Sequence, residues 1–267
     1  MAEEPHFVFL ETNGIRLHVA CAGPEDGPLV ILLHGFPEFW YGWRHQIGPL
    51  AAAGYRVLAP DQRGYNRSDK PKGVASYALD RLAGDVVGLI DGAGRSRATV
   101  VGHDWGGAVA WWLALRHPGR LERLVVLNAP HPDAYRRGLM RYPVQWLRSW
   151  YILAFQLPGL PEFGLRRRNW RALERSMRTT SRPGAFDAAD FAHYRRAWSE
   201  PGAITGMVHW YRAMVRARPA LPRDTRIRVP TLVIWGARDP FLDRRLARPS
   251  VEPCDDGRLE LIEKATH

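Results

Sequence analysis

Val100-Val101-Gly102-His103-Asp104-Trp105-Gly106-Gly107 is the stretch that decides the fold. An apolar run leads into it, and a helix-compatible run over 108–116 leaves it, closed by Pro118 and Gly119. Between them stands Gly-x-Asp-x-Gly, a sharp strand-to-helix turn that lifts one reactive side chain above a sheet. Asp104 occupies the position where such turns often hold a serine. Side chains on the flanking residues would clash in so tight a turn, hence the glycines. The N-terminus of the next helix offers free N–H groups and favours an anion, so Asp104 is expected to stay ionised. The residue type narrows the chemistry. A serine alkylated at an sp3 carbon becomes an ether, a dead end. A carboxylate alkylated there becomes an ester, which water can cleave. An aspartate at this turn therefore fits attack on an epoxide or an alkyl halide.

Strand and helix signals alternate on both sides of this turn. Residues 7–10 and 15–20 flank Asn13-Gly14, a hairpin pair. Residues 29–33 form an apolar run suited to a strand buried on both faces, and 55–60, 98–101 and 124–127 read similarly. Residues 76–91 place Leu79, Leu82, Ala83, Val86, Val87 and Ile90 at helical spacing, with Gly92 and Gly94 as the stop. This alternation predicts an α/β fold, a mostly parallel sheet flanked by helices. After Pro130 it lapses. From about residue 133 to 228 there are helical stretches rich in Arg, Trp and Tyr and no buried strand, until 231–235 and 259–262 resume the pattern. The expected organisation is a core in two parts, 1–133 and 229–267, with a helical lid over 134–228. A last parallel strand needs a covering helix, so a C-terminal helix is expected beyond His267.

The composition agrees with a globular chain. Its 267 residues are 46% hydrophobic and 24% charged, which excludes a disordered or collagen-like chain. Cys21 and Cys254 make neither a disulfide framework nor a zinc site. The acidic start lacks the pattern of a secretory signal, and the longest apolar run, 108–115, falls far short of a bilayer span. These readings predict a cytoplasmic protein with no membrane partner. The net charge of +11 is uneven. Nineteen arginines and six acidic residues lie between Arg136 and Arg228, so that segment exceeds the whole excess and the remainder is slightly acidic. Charge of this kind specifies partners poorly, and the reading adopted is a solvated arginine surface with no nucleic-acid partner.

Other residues join Asp104. His34-Gly35-Phe36-Pro37-Glu38 follows the first core strand, where the backbone N–H groups of Phe36 and Trp105 can hold the oxyanion formed as an ester is hydrolysed. Trp235-Gly236-Ala237-Arg238-Asp239 puts an acid past a later strand, and His267 follows the last one. The order Asp104, Asp239, His267 is nucleophile, acid, base. Histidine removes a proton near neutral pH, and an adjacent acid fixes its tautomer. Asp61, Arg63 and Asp69 read as structural ion pairs or turn contacts. Glu38 is placed behind the site, and His103 is read as structural, since neighbours in a tight turn point apart. Trp146, Trp150, Phe155 and Trp210 are expected mainly as lid core.

The sequence resembles the α/β-hydrolase-fold epoxide hydrolases of the soluble type. The resemblance spans nearly the whole chain. It rests on His34–Glu38, Asp61-Gln62-Arg63-Gly64-Tyr65 with Ser68-Asp69-Lys70-Pro71, and Gly102–Gly107. Two lid segments add to it, Tyr151-Ile152-Leu153-Ala154-Phe155-Gln156-Leu157-Pro158-Gly159 and His209-Trp210-Tyr211-Arg212. In that family a tyrosine from each lid segment donates to the epoxide oxygen, and the matching positions are Tyr151 and Tyr211. The resemblance implies conversion of a small-molecule epoxide and water to a vicinal diol through an ester on Asp104, with detoxification among the possible roles. It implies no metal and no organic cofactor.

Two other readings stand beside it. Haloalkane and haloacid dehalogenases share the fold and the aspartate. The first resemble Asn after His-Gly, where Phe36 stands here. The fluoroacetate type resembles Arg after the nucleophile, where Trp105 stands. A non-enzymatic ligand receptor on the same scaffold is the third reading. Which epoxide is turned over, with which enantiopreference, and the oligomeric state are not legible.

Overall fold

The computed structural model describes residues 4–267. Its eight strands are β1 (His6–Thr12), β2 (Ile15–Ala22), β3 (Leu29–Leu33), β4 (Arg56–Pro60), β5 (Ala98–His103), β6 (Leu121–Leu127), β7 (Thr231–Gly236) and β8 (Gly257–Ile262). They form one sheet in the order β1-β2-β4-β3-β5-β6-β7-β8. The β1–β2 and β2–β4 pairs are antiparallel, and every later pair is parallel. All five residues of β3 are buried, as its continuous apolar run predicts for a strand covered on both faces. Leu29, Ile31 and Leu33 enter the larger core, and Val30 and Leu32 enter the smaller one on the opposite face. Each such side chain contributes about 1.5–3 kcal/mol by leaving water.

Three helices pack against the first half of the sheet: α1 (Arg44–Ala52), α2 (Leu79–Gly92) and α3 (Trp105–Arg116). In α2, Leu82, Val86, Leu89 and Ile90 form the buried stripe. Trp111 and Trp112 of α3 are fully buried. Two helices differ from the sequence reading. α3 starts at Trp105 rather than at residue 108, so the helix begins directly on the reactive turn. α1 has no counterpart in that reading, because Pro49 lies inside it and its apolar residues form no clear stripe.

Six helices lie between β6 and β7: α4 (Pro132–Arg141), α5 (Pro143–Arg148), α6 (Trp150–Ala154), α7 (Leu160–Thr180), α8 (Ala188–Ser199) and α9 (Ala203–Arg216). The short α10 (Ala247–Val251) precedes β8. α7 is broken at Arg167–Trp170, where Arg168, Asn169 and Trp170 take φ of 51, 52 and 66°. Left-handed backbone costs a non-glycine residue about 1–2 kcal/mol. Burial of Trp170 and the bond from its Nε1 to Ser199 Oγ at 2.9 Å offset that cost. α9 is tied to the α6–α7 segment by Arg212. Its guanidinium binds Glu162 at 2.6 Å and donates to the carbonyls of Phe155 at 3.0 Å and Leu157 at 2.6 Å.

No helix among the described residues is long and apolar enough to cross a membrane. Trp210 is buried and donates to Arg63 O at 2.9 Å, so it belongs to the packed interior. Trp146 and Trp150 do not. They are 57% and 67% exposed, which corrects their assignment to the lid core.

Candidate active site

The parallel strands set the site, because their C-terminal ends all open on the same edge. β3 delivers His34 to Glu38, β5 delivers Asp104, β7 delivers Asp239, and the loop after β8 delivers His267. Asp104 has φ 52°, the strained conformation of a residue held at a tight turn. The flanking glycines are required sterically. A Cβ on Gly102 would strike the backbone of Gly106, and one on Gly106 would strike the Leu33 carbonyl. Gly35 is similarly restricted, since its Cβ would lie 2.5 Å from Asp104 Cβ.

The sequence-derived acid, base and nucleophile come together. His267 Nδ1 lies 2.7 Å from Asp239 Oδ2. A carboxylate only accepts, so Nδ1 carries the proton and Nε2 faces Asp104 Oδ2, at 3.6 Å. Asp239 is buried and accepts further bonds from the N–H of Phe241 at 2.7 Å and of Leu242 at 2.9 Å. Asn128 Nδ2 donates to it at 2.6 Å, and Asn128 Oδ1 accepts from Gly236 N at 2.9 Å. Asn128 was absent from the sequence reading. It sits just past β6, and its only sequence signal is a polar residue in the turn Asn128-Ala129-Pro130.

Phe36 N–H donates to Asp104 Oδ1 at 2.9 Å. The Phe36–Pro37 bond is cis. The Trp105 N–H is the first free donor of α3, beside the same carboxylate. Tyr151 and Tyr211, from α6 and α9, pack with ring centroids 5.7 Å apart. Tyr211 also meets Trp105 at 5.0 Å and Phe36 at 5.2 Å, which sets it over the oxyanion loop. One cavity of about 570 Å³ is lined by Asp104, His267, Phe36, Tyr151, Phe155 and Tyr211, among others.

Charges follow from this geometry. Burial pushes the Asp104 carboxyl up, but the hydrogen bond and charge of His267 outweigh it, and its pKa lies below the ordinary value. Burial pushes His267 down, yet the Asp239 charge and the Asp104 contact raise it to about 10. Asp239 is held low by the same partner against its burial. Burial keeps both phenols protonated: Tyr151 and Tyr211 lie well above their ordinary value, with the Asp104 charge adding to the shift.

A second layer stands behind the base. His103 Nε2 donates to the main-chain carbonyl of His267 at 2.8 Å, and the two rings lie 4.8 Å apart. His103 Nδ1 faces Glu38 Oε2 at 3.5 Å, and Tyr194 donates to Glu38 Oε1 at 2.9 Å. Burial raises Glu38, but the bond and charge of His103, the Tyr194 hydroxyl and the His34 charge together more than reverse that, so it stays a carboxylate. The expected structural role of His103 takes a specific form: its ring supports His267 from behind, and both His103 and Glu38 line the cavity. The other polar residues are structural as expected. Asp61 accepts from His18, Asn66 and the Trp40 N–H, Arg63 grips Asp85 at 2.8 and 2.6 Å, and Asp69 accepts from the Arg16 N–H.

Comparison with known proteins identifies the family. The alpha/beta hydrolase fold family matches residues 28–267. The AB hydrolase superfamily protein YfhM of Bacillus subtilis (strain 168) is 50% identical over 259 residues, covering 97% of this chain and 90% of its own. Epoxide hydrolase 2 of Caenorhabditis elegans is 37% identical over 265 residues, covering 97% and 74%. A crystal structure of a Bacillus megaterium epoxide hydrolase bound to an inhibitor superposes with a TM-score of 0.88 at 31% identity, covering 97% of this chain and 93% of that one.

Proposed function

The chain belongs to the alpha/beta hydrolase fold family as an epoxide-hydrolase-like member, and from that premise we propose that it opens epoxides to vicinal diols through an ester on Asp104. The observation that carries the reading is the set of contacts around Asp104. His267 lies on one side, held by Asp239, the Phe36 N–H lies on another, and two protonated phenols line the same cavity. The relatives named as epoxide hydrolases support it.

In the first half, Asp104 Oδ2 attacks an epoxide carbon from behind and the carbon–oxygen bond on the far side breaks. Tyr151 and Tyr211 stabilise the developing alkoxide, and one of them gives it a proton. Before this step His267 is an imidazolium facing an ionised Asp104, as its pKa of about 10 requires. Alkylation removes the Asp104 charge and with it two of the influences that raise His267. The phenolate left by the first step takes a proton from the His267 imidazolium, and the neutral imidazole then acts as the base. It removes a proton from water, and the hydroxide attacks the ester carbonyl carbon. The N–H groups of Phe36 and Trp105 hold the oxyanion; its collapse breaks the ester C–O bond, and the proton of the new carboxyl group passes to the leaving oxygen, which releases the diol and restores the carboxylate. Residues 134–228 act as the lid, bringing both tyrosines over the cavity that holds Asp104. The free Cys21 and Cys254 suit work in a reducing, cytoplasmic compartment.

The test is a His267→Gln variant mixed with a small aryl epoxide. Intact-mass and peptide analysis should find one alkyl adduct on Asp104 that accumulates instead of turning over. No adduct under single-turnover conditions, or halide release from an alkyl halide in place of diol formation, would overturn the reading.

A further inference from the structure

We propose that the face of the insertion formed by α5, α6 and α7 docks on an anionic lipid surface, and that the cavity draws lipophilic epoxides from it. The second clause rests on the reaction proposed above; the first does not.

Leu147, Trp150, Leu153, Leu157, Leu160 and Phe163 follow one another at intervals of three or four residues, and each is between 48% and 74% exposed. Single exposed apolar residues are ordinary, but this concentration of large ones between Leu147 and Phe163 marks a segment suited to meet something other than water. Directly beyond Phe163 lies a groove of about 660 Å³ walled by Arg167, Arg168, Arg171 and Arg175. None of these four makes an ion pair among the described residues, whereas the neighbouring Arg178 and Arg195 share Glu174. The Arg167 guanidinium lies 5.6 Å from the centre of the Phe163 ring, so the apolar run and the cationic groove are in contact.

The catalytic cavity adjoins both. Trp150, two-thirds exposed, lines the cavity, and Ala172 and Ser176 wall both the cavity and the groove. The occupant follows from the two chemistries. A second copy would bring one arginine groove against another, and like charges oppose that contact. A nucleic acid would satisfy the guanidinium groups but leave the apolar run in water. A bilayer with anionic headgroups takes both. Phosphates pair with Arg, and Trp, Leu and Phe enter the boundary between headgroups and acyl chains. The arginines that the sequence reading assigned to a solvated surface thereby gain a partner. A lipophilic epoxide dissolved in such a bilayer lies at the cavity mouth without crossing water.

The experiment is flotation of the protein with vesicles of phosphatidylglycerol mixed with phosphatidylcholine, against phosphatidylcholine alone, without substrate. Binding to the anionic vesicles should be at least about tenfold tighter. Leu147→Glu with Leu153→Glu should abolish it, and Arg168→Glu with Arg171→Glu should weaken it about as much. Hydrolysis of a water-soluble epoxide should be unchanged in the first pair, while hydrolysis of a long-chain epoxide held in anionic vesicles should fall. Equal binding to both vesicle types, or no binding, would overturn the proposal. So would self-association lost in Leu147→Glu, which would assign the face to a second copy. Binding of a short DNA duplex that Leu153→Glu leaves intact would assign the groove to a nucleic acid. Vesicle binding is read without turnover and diol formation without vesicles, so either reading can fail alone.

Discussion

His267 Nε2 faces Asp104 Oδ2 across 3.6 Å while its other ring nitrogen is committed to Asp239. The imidazole is thus charged chiefly by Asp239, with Asp104 adding to it, and in the proposed reaction it becomes a base once Asp104 is alkylated.

This coupling has a pH signature in stability. His267 is raised from about 6.5 to about 10 on folding, so its contribution is complete at low pH and is lost as pH rises through about 10. Asp104 and Asp239 are held below their ordinary values, so theirs is present above the usual carboxylate range and fades as pH falls through their lowered values. Asp104→Asn removes one source of the His267 shift and should move the alkaline loss to lower pH. Urea unfolding at a series of pH values reads this. Identical alkaline limbs in wild type and variant would contradict the coupling.

The tyrosines separate the two halves of the reaction. Tyr151→Phe and Tyr211→Phe should each slow adduct formation by about 10²–10³, the usual effect of losing one donor to a developing oxyanion. Hydrolysis of the ester, once formed, should change little in either single variant, because the remaining phenol can exchange the proton with His267 and neither phenol holds the ester oxyanion. Rapid-quench mass spectrometry resolves the two rates. A variant that slows only ester hydrolysis would remove that tyrosine from its assigned place.

Asp239 presents the opposite case. It accepts from His267, Asn128 and two backbone N–H groups, and so fixes the tautomer and direction of the ring. Asp239→Asn should reduce ester hydrolysis by about three to four orders of magnitude, as in other triads, while the adduct still forms. Asn128→Ala leaves one acceptor position of the buried carboxylate empty and should cost about 1–3 kcal/mol in stability. Adduct accumulation in Asp239→Asn but not in wild type is the outcome that distinguishes orientation from nucleophilic attack.

The parts of this protein that follow short-range rules were legible in the sequence. β3 is buried on both faces, so its five apolar residues announce it, and the glycines around Asp104 answer to clashes a few residues away. Asp239 and His267 were legible as residues past strands, and only the sheet brings them to one point. What escaped depends on direction in space. His103 is adjacent to Asp104 in sequence, and nothing there shows that the turn lays its ring on His267. α1 contains Pro49, which reads as a breaker. Trp146 and Trp150 have core-like character, and whether an aromatic faces inward or outward depends on how α5 and α6 are set by their neighbours.

A buried arginine holds the two tyrosine-bearing segments together. Arg212 is buried, pairs with Glu162 at 2.6 Å, and caps the Phe155 and Leu157 carbonyls. Gln156 Nε2 donates to Tyr211 O at 3.0 Å from the same segment. The segment that follows Tyr151 is therefore fastened to the helix that carries Tyr211. Arg212→Met leaves the Glu162 carboxylate unpaired in a buried position and should destabilise by about 3–5 kcal/mol. Adding Glu162→Gln removes that charge and should recover much of the stability, but it cannot restore the two carbonyl contacts. The double variant should therefore fold and still form the Asp104 adduct slowly, since the tyrosines are no longer fixed over the carboxylate. Thermal unfolding together with single-turnover adduct formation checks both halves. Recovery of the wild-type adduct rate in the double variant would show that Arg212 serves stability alone.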